Sequence, residues 1–242
     1  MRNNYYFISD LHLGLYPEEK SKEREKIVVN WLDNIKNDAK ELFLVGDIFD
    51  FWFEYKRVVP RGFVRFLGKI AELCDNGIVV NFITGNHDQW IKNYFQEEIG
   101  MNVYKNEIIR NINGLKVLIS HGDGIGPGDY SYKILRYIFK NKILRWFFGK
   151  IHPDIAMYLG KKWSKHSRYA KGLTAEPIKN FKKELQIIHA FELSEKENYD
   201  YIIYGHRHIP YIFKLNNKTT LINLGDWITN YTYGILENNN FH

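Results

Sequence analysis

Five times along this 242-residue chain a short β-rich run gives way to a cluster of aspartate, histidine or asparagine. Tyr5–Ser9 (YYFIS) leads into Asp10-x-His12, and Glu41–Val45 (ELFLV) into GDIFD, Gly46 to Asp50. Val79–Thr84 (VVNFIT) leads into GNHD, Gly85 to Asp88. Lys116–Ser120 (KVLIS) precedes HGD, His121 to Asp123, and Tyr201–Tyr204 (YIIY) precedes GHRH, Gly205 to His208. Apolar runs of this length between turn residues fit buried strands. The stretches between them carry helical spacing: Ile27, Val28, Trp31, Leu32 and Ile35 within Glu19–Lys36, and Phe63, Phe66, Leu67, Ile70 and Leu73 within Pro60–Cys74. Strands alternating with helices predict an α/β architecture, which gathers ligands at the carboxyl ends of its strands. The polar clusters fall at those ends.

Each cluster alone has a structural explanation. Asp47, Asp50 or the GNHD loop could cap a helix, and the histidines could be satisfied loop residues. Five such coincidences from residue 9 to residue 208 are a poor account of one chain. Asp, His and Asn form a donor set suited to Mn²⁺, Fe or Zn²⁺, and no thiolate stands among them to specify a closed structural zinc site. The single cysteine, Cys74, excludes an internal disulfide framework and suits a reducing cytoplasm.

The order D-x-H, G-D-x-x-D, G-N-H-D, H-G-D, G-H-x-H resembles the calcineurin-like metallophosphoesterase superfamily over nearly the whole chain. The resemblance implies a two-sheet α/β sandwich flanked by helices and a centre of two divalent ions, manganese before iron or zinc. Asp10, His12, Asp47 and His208 would ligate one ion. Asp47 would bridge to a second, completed by Asn86, His121 and His206. His87 matches a non-ligand histidine that stabilises the transition state or protonates the leaving oxygen, and the GDxxD spacing places Asp50 to orient it. Two cations sharing a carboxylate and a hydroxide provide a nucleophile at neutral pH.

Gly128–Lys183 departs from the βα rhythm and reads as a helical insertion within a single domain spanning 1–242. Helical stripes (Leu135/Phe139, Leu144/Phe148/Ile151) are broken at Gly149–Pro153, a second helix starts near Asp154, and a third is expected past Pro177. From Tyr130 to Lys183 fourteen Lys and Arg face only Asp154 and Glu176, whereas the remaining chain holds twenty basic against twenty-six acidic residues. A charge this lopsided implies an anionic partner, whether a membrane surface, nucleic acid or a phosphorylated ligand, or else a solvated basic face. The insertion's aromatics (Tyr137, Phe139, Trp146, Phe147, Phe148, Tyr158, Trp163, Tyr169) read as core between helices, with an acyl-chain pocket or membrane contact as the competing reading.

SDLHLG, GDIFDFWF, the HGD block running on to GPGD, the insertion after it and NLGDW together resemble the UDP-2,3-diacylglucosamine diphosphatases of lipid A synthesis. That resemblance implies cleavage of a nucleotide-linked glycolipid to UMP and a lipid monosaccharide phosphate, the insertion serving as a lid over the acyl chains. It carries Asn86, Asp129, Ser164, Arg168 and Lys171 over as substrate contacts. One motif departs: many of these enzymes read GNRD where this chain has His87. Other substrates (nucleic acid, a cyclic nucleotide, a phosphomonoester) remain alternatives, as does a non-catalytic interaction module. DFWFEY and GDW do not resemble serine/threonine protein phosphatases. No apolar run reaches the roughly 18 residues of a membrane span, and MRNNYYFISD lacks a signal-peptide core. The expected place is the cytoplasm, with peripheral contact to anionic membrane. After GHRH, Tyr211–Leu215, Thr219–Leu224 and Tyr231–Leu236 read as antiparallel strands, and the tail ENNNFH as frayed.

Overall fold

The computed structural model describes residues 2–125, 141–171, 178 and 180–242, excluding the side chains of 165–171 and of residue 182. Two mixed sheets pack face to face with helices outside them. The first has the order β11-β10-β1-β2-β3-β4, with β1 Asn4–Ile8, β2 Ala39–Val45, β3 Val79–Ile83, β4 Asn102–Tyr104, β10 Gly234–Glu237 and β11 Asn240–Phe241. The second has the order β5-β6-β7-β9-β8, with β5 Ile108–Ile112, β6 Leu115–Ile119, β7 Tyr201–Tyr204, β8 Pro210–Lys214 and β9 Thr220–Leu224. β1 to β4 run parallel, as do β6, β7 and β9. Their carboxyl ends therefore point one way within each sheet.

Side-chain alternation builds three apolar layers. Tyr5, Phe7, Phe43, Val45 and Ile83 meet Val117, Ile119, Ile203, Ile222 and Leu224 between the sheets. The opposite faces of β1 to β3 (Tyr6, Ile8, Leu42, Leu44, Val80, Phe82) bury against α1, Glu18–Ile35, and α2, Val64–Asp75. Leu118, Ile202, Tyr204 and Leu221 bury on the far side with Ile187 and Ala190 of the helix Leu185–Lys196. At the rim, Glu41 takes Arg110 Nη2 at 2.8 Å and Asn81 Nδ2 at 3.0 Å, tying one sheet to the other.

The predicted strands fall within two residues of those observed, except that the last begins at Gly234 rather than Tyr231. The three antiparallel strands after GHRH complete both sheets: β8 pairs with β9, and β10 pairs with β1 in the other sheet. One expectation fails: the tail is not frayed, because Asn240–Phe241 pairs with β10 and His242 exchanges two backbone bonds with Ile235 at 2.9 and 3.0 Å. Neither β4 nor β5 was read from the sequence.

Within the basic stretch, α3 covers Lys142–Phe148 and α4 covers Pro153–Lys171, followed by a 3₁₀ turn, Phe181–Lys183, and α5, Leu185–Lys196. α3 and α4 sit on the DFWFEY block. Phe148 packs edge-on or tilted among Phe51, Phe53 and Trp90, and a Cβ on Gly160 would collide with the Phe51 ring. The aromatics divide: Phe148 is packed, whereas Trp146, Phe147 and Tyr158 point to solvent. A core between helices accounts for only part of them.

Candidate metal centre

Backbone geometry singles out the strand ends before any side chain is considered. Asp10, His12, Asp47, His206 and His208 all adopt positive φ, at 54°, 43°, 52°, 68° and 57°. Non-glycine residues reach this left-handed region at a cost of about 1–2 kcal/mol each. Such turns bend the chain sharply at the strand ends, and adjoining loops secure them. Asp10 N donates to Gly46 O, His12 N to Asp47 O, and Gly205 N to His121 O, all within 3.1 Å. The motif glycines leave room: a Cβ on Gly46 would enter the His121 ring, and one on Gly85 would enter the Asp47 carboxylate.

The side chains converge in linked groups. Asp10, His12 and His208 bring ligand atoms within 4.8 Å of one another, as do Asp47, His121 and His206, and also His12, Asp47 and His87. Asp47 Oδ2 is the hub, 3.3 Å from His121 Nε2, 3.7 Å from His12 Nε2 and 3.9 Å from His87 Nε2. Asp10 Oδ1 lies 3.4 Å from His208 Nε2 and 3.7 Å from His12 Nε2. Donors about 2.1 Å from a shared ion stand roughly 3–3.5 Å apart, which these spacings approach. Asp10 Oδ1, Asn86 Oδ1 and His121 Nε2 are buried without a hydrogen-bond partner. Such atoms are costly unless something else satisfies them. The oxygen and imidazole donors fit divalent ions.

Second contacts fix the imidazole tautomers. Val45 O holds His121 Nδ1 at 2.9 Å and Asp226 Oδ2 holds His208 Nδ1 at 3.2 Å, so Nε2 of each faces the cluster. Electrostatics agree. Burial opposes charge at His12, yet the Asp10 and Asp50 carboxylates, 3.7 and 3.4 Å from its ring nitrogens, lift its pKa to about 9. His121 likewise overcomes burial through Asp47 and is held well above the usual imidazole range, while His206 is pushed by burial and by His121 down to about 4. Asp47, despite burial, lies well below the carboxylate range beside His121 and His87. Carboxylates that favour imidazolium favour any cation set among them.

His87 is buried, and its Nδ1 lies 2.7 Å from Asp50 O and 3.3 Å from Ser164 Oγ. A carbonyl only accepts, so Nδ1 carries the proton and Nε2 faces Asp47. Here the expectation for Asp50 changes. Its carboxylate stands 3.4 Å from His12 Nδ1, and it reaches His87 through its main chain. Nor does Asp47 or Asp50 cap a helix, since the next one begins at Val64. Ser164 is fully buried behind His87 rather than lining open space. Asp129 and the side chains of Arg168 and Lys171 lie outside the described residues. Two participants were missed. Asp226 of NLGDW orients His208, and Asp88 of GNHD accepts from Ile48 N at 2.8 Å and Gly85 N at 2.6 Å. Burial lifts Asp88 to about 7. Their motifs were visible, but not their direction.

The profile of the calcineurin-like phosphoesterases matches residues 4–210. The chain belongs to this family and is a metal-dependent phosphoester hydrolase. The UDP-2,3-diacylglucosamine hydrolase of Porphyromonas gingivalis is 34% identical to it, over 97% of this chain and 94% of that one. The protein of the same description from Neisseria meningitidis serogroup A is 29% identical over 93% and 90%. Among solved structures, a dimetal phosphatase of Danio rerio superposes with a TM-score of 0.43 at 13% identity, covering 96% of this chain and 91% of that one.

Proposed function

We propose that this hydrolase cleaves the pyrophosphate of UDP-2,3-diacylglucosamine, releasing UMP and the diacylated sugar 1-phosphate. The observation that carries the reading is a cavity of about 200 Å³ that opens beside Asp50. Leu13, Phe51, Val58, Val59, Phe63 and Met157 give it apolar walls, and Arg61 and Lys161 stand among them. Hydrocarbon placed there would reach the metal cluster's edge, and each buried methylene contributes about 0.8 kcal/mol. The similarity to the Porphyromonas hydrolase over nearly all of both chains points to the same substrate class.

In this reading Asp10, His12, Asp47 and His208 would hold one ion, and Asp47, Asn86, His121 and His206 the other. Two divalent ions, manganese by first choice, would supply a hydroxide nucleophile there and neutralise phosphoryl charge. His87, whose Nδ1 proton Asp50 O keeps in place, would take a proton from water at Nε2 and deliver it to the leaving phosphate oxygen. Ser164 steadies that ring. Residues 128–183 form the lid within one domain, with Asp129, Arg168 and Lys171 as its polar contacts to substrate.

The same helices face an anionic bilayer from the cytoplasmic side. Trp146 and Phe147 are 58% and 60% exposed. Lys142 lies one helical turn before Trp146, and Lys150, just past α3, stands 5.0 Å above the Trp146 ring. Among the described residues no helix is long and apolar enough to cross a membrane, so the contact is peripheral.

The deciding experiment incubates Mn²⁺-loaded protein with UDP-diacylglucosamine in detergent and scores UMP release beside Asp47→Ala. Release by the wild type alone is the expected result. Turnover of bis-p-nitrophenyl phosphate without UMP release would keep the hydrolase and reject the glycolipid.

A further inference from the structure

Two of the loops that carry metal-cluster histidines meet over one buried amide. Gln186, near the start of α5, donates from Nε2 to Gly205 O at 2.9 Å and to Gly122 O at 3.4 Å. Its Oε1 accepts from Asn223 Nδ2 at 2.7 Å and from Tyr211 Oη at 3.1 Å. Two donors and two acceptors account for every strong contact an amide of this kind makes in one plane. Nitrogen and oxygen cannot be exchanged, because both glycine partners are carbonyls and only accept. Asn223 is itself oriented by Gly225 N, which donates to its Oδ1 at 3.0 Å, and it gives Gly205 O a second donor at 2.8 Å.

The bonded carbonyls adjoin the cluster. Gly122 follows His121, and Gly205 precedes His206. Gly205 N donates back to His121 O at 3.1 Å, closing a ring of bonds between the two loops. A Cβ on Gly122 would stand 2.6 Å from Gln186 Nε2, so the glycine gives the amide its place. The residue just before α5 also reaches the His206 loop: Glu184 pairs with Arg207 at 3.0 Å. The Asp10–His12 loop is held differently, through Gly46 O and Asp47 O.

We propose that Gln186 is a positioning residue for one half of the metal centre, setting the spacing between His121 and His206. It touches neither substrate nor ion. Gly205 O keeps its donors from Asn223 and Arg207 N, but loss of Gln186 removes the one amide that bonds both loop carbonyls and lets the histidines separate, while the Asp10, His12 and His208 group keeps its own supports. The inference rests on the two-ion reading.

The test titrates metal-free protein with Mn²⁺ by calorimetry and follows the spin-coupled manganese pair by electron paramagnetic resonance. Circular dichroism reports folding in parallel. Wild type is expected to bind two ions. In Gln186→Met, which keeps length and deletes every hydrogen bond, one ion binds as before and the other roughly 10–100-fold more weakly. The coupled signal then vanishes at two equivalents and returns with excess Mn²⁺. Unchanged affinity for both ions, or equal weakening of both, would overturn the proposal. Should Gln186→Met fail to fold, Tyr211→Phe decides: it deletes only the hydroxyl that steadies Oε1. A smaller selective loss at one ion supports the clamp, and none rejects it. A wild type that binds fewer than two ions overturns the binuclear reading itself, and the clamp with it.

Discussion

Gly85→Ala isolates how little space the centre can spare. A Cβ at this position would overlap the Asp47 carboxylate and stand 2.6 Å from Asp47 N and 2.9 Å from His121 Cδ2. Ordinary contacts need about 3.5–4.0 Å, so these groups must part by roughly 1 Å. Neither has a free end to swing aside, because Asp47 Oδ1 accepts from His87 N at 2.9 Å and His121 Nδ1 is held by Val45 O at 2.9 Å. Gly85 is not among the positive-φ glycines, so the cost is one of space rather than backbone conformation. A misplacement near 1 Å lowers catalysis about 100-fold. Stability falls less: overpacking costs about 1–3 kcal/mol, offset by about 0.4–1 kcal/mol from the stiffer unfolded chain. The assay is initial rate on bis-p-nitrophenyl phosphate at saturating Mn²⁺, beside a thermal melt. Gly68→Ala, within α2 and with nothing near its added methyl, is the control. It should gain about 0.8–1 kcal/mol, about 2–4 °C in a chain of this size, at unchanged rate. A Gly85→Ala rate within about threefold of wild type would refute the packing argument.

Other perturbations separate the supports from one another. Asp226→Asn removes the carboxylate 3.2 Å from His208 Nδ1 and is expected to weaken metal affinity or activity roughly 10–100-fold; a calorimetric titration identical to wild type would contradict that role. Glu25 caps α2 by accepting from Arg65 N and Phe66 N at 3.0 and 3.1 Å. Glu25→Ala should cost about 1–3 kcal/mol in urea unfolding, with the rate per folded molecule unchanged. Vesicles containing phosphatidylserine should retain the protein and release it in high salt. Lys142→Gln and Lys150→Gln each lose about 1 kcal/mol, about fivefold in partitioning. Retention indifferent to lipid charge would remove the bilayer from the account.

Much of the centre was legible because its signal is local. A strand that ends in a ligand residue shows both halves within ten positions, as YYFISD and VVNFITGNHD do. Pairing was not legible, because it joins residues far apart. Nothing in Tyr231–Leu236 announces that β10 bonds β1, over two hundred residues earlier, in preference to its neighbours β8 and β9. Side-chain direction was lost for a related reason. GDxxD spacing places Asp50 near both His12 and His87, but the left-handed turns at His12 and Asp47 decide which imidazole its carboxylate meets. Asp226 and Asp88 stood in recognised motifs yet carried no sign of their partners.

Those left-handed turns also explain why separate loops must be fastened together. Each residue with φ between 43° and 68° would relax toward ordinary backbone if its loop stood alone. None stands alone: Asp10 Oδ2 accepts from His206 N at 2.9 Å, across 196 residues of chain, while Trp227 N donates to Asp10 O at 3.2 Å. Such bonds make each loop's strain depend on its neighbours' presence. The donors therefore stand close together by virtue of the protein's own bonds. A cation entering the cluster pays little to reorganise them, which is the condition for tight binding and for electrostatic stabilisation of a phosphoryl transition state.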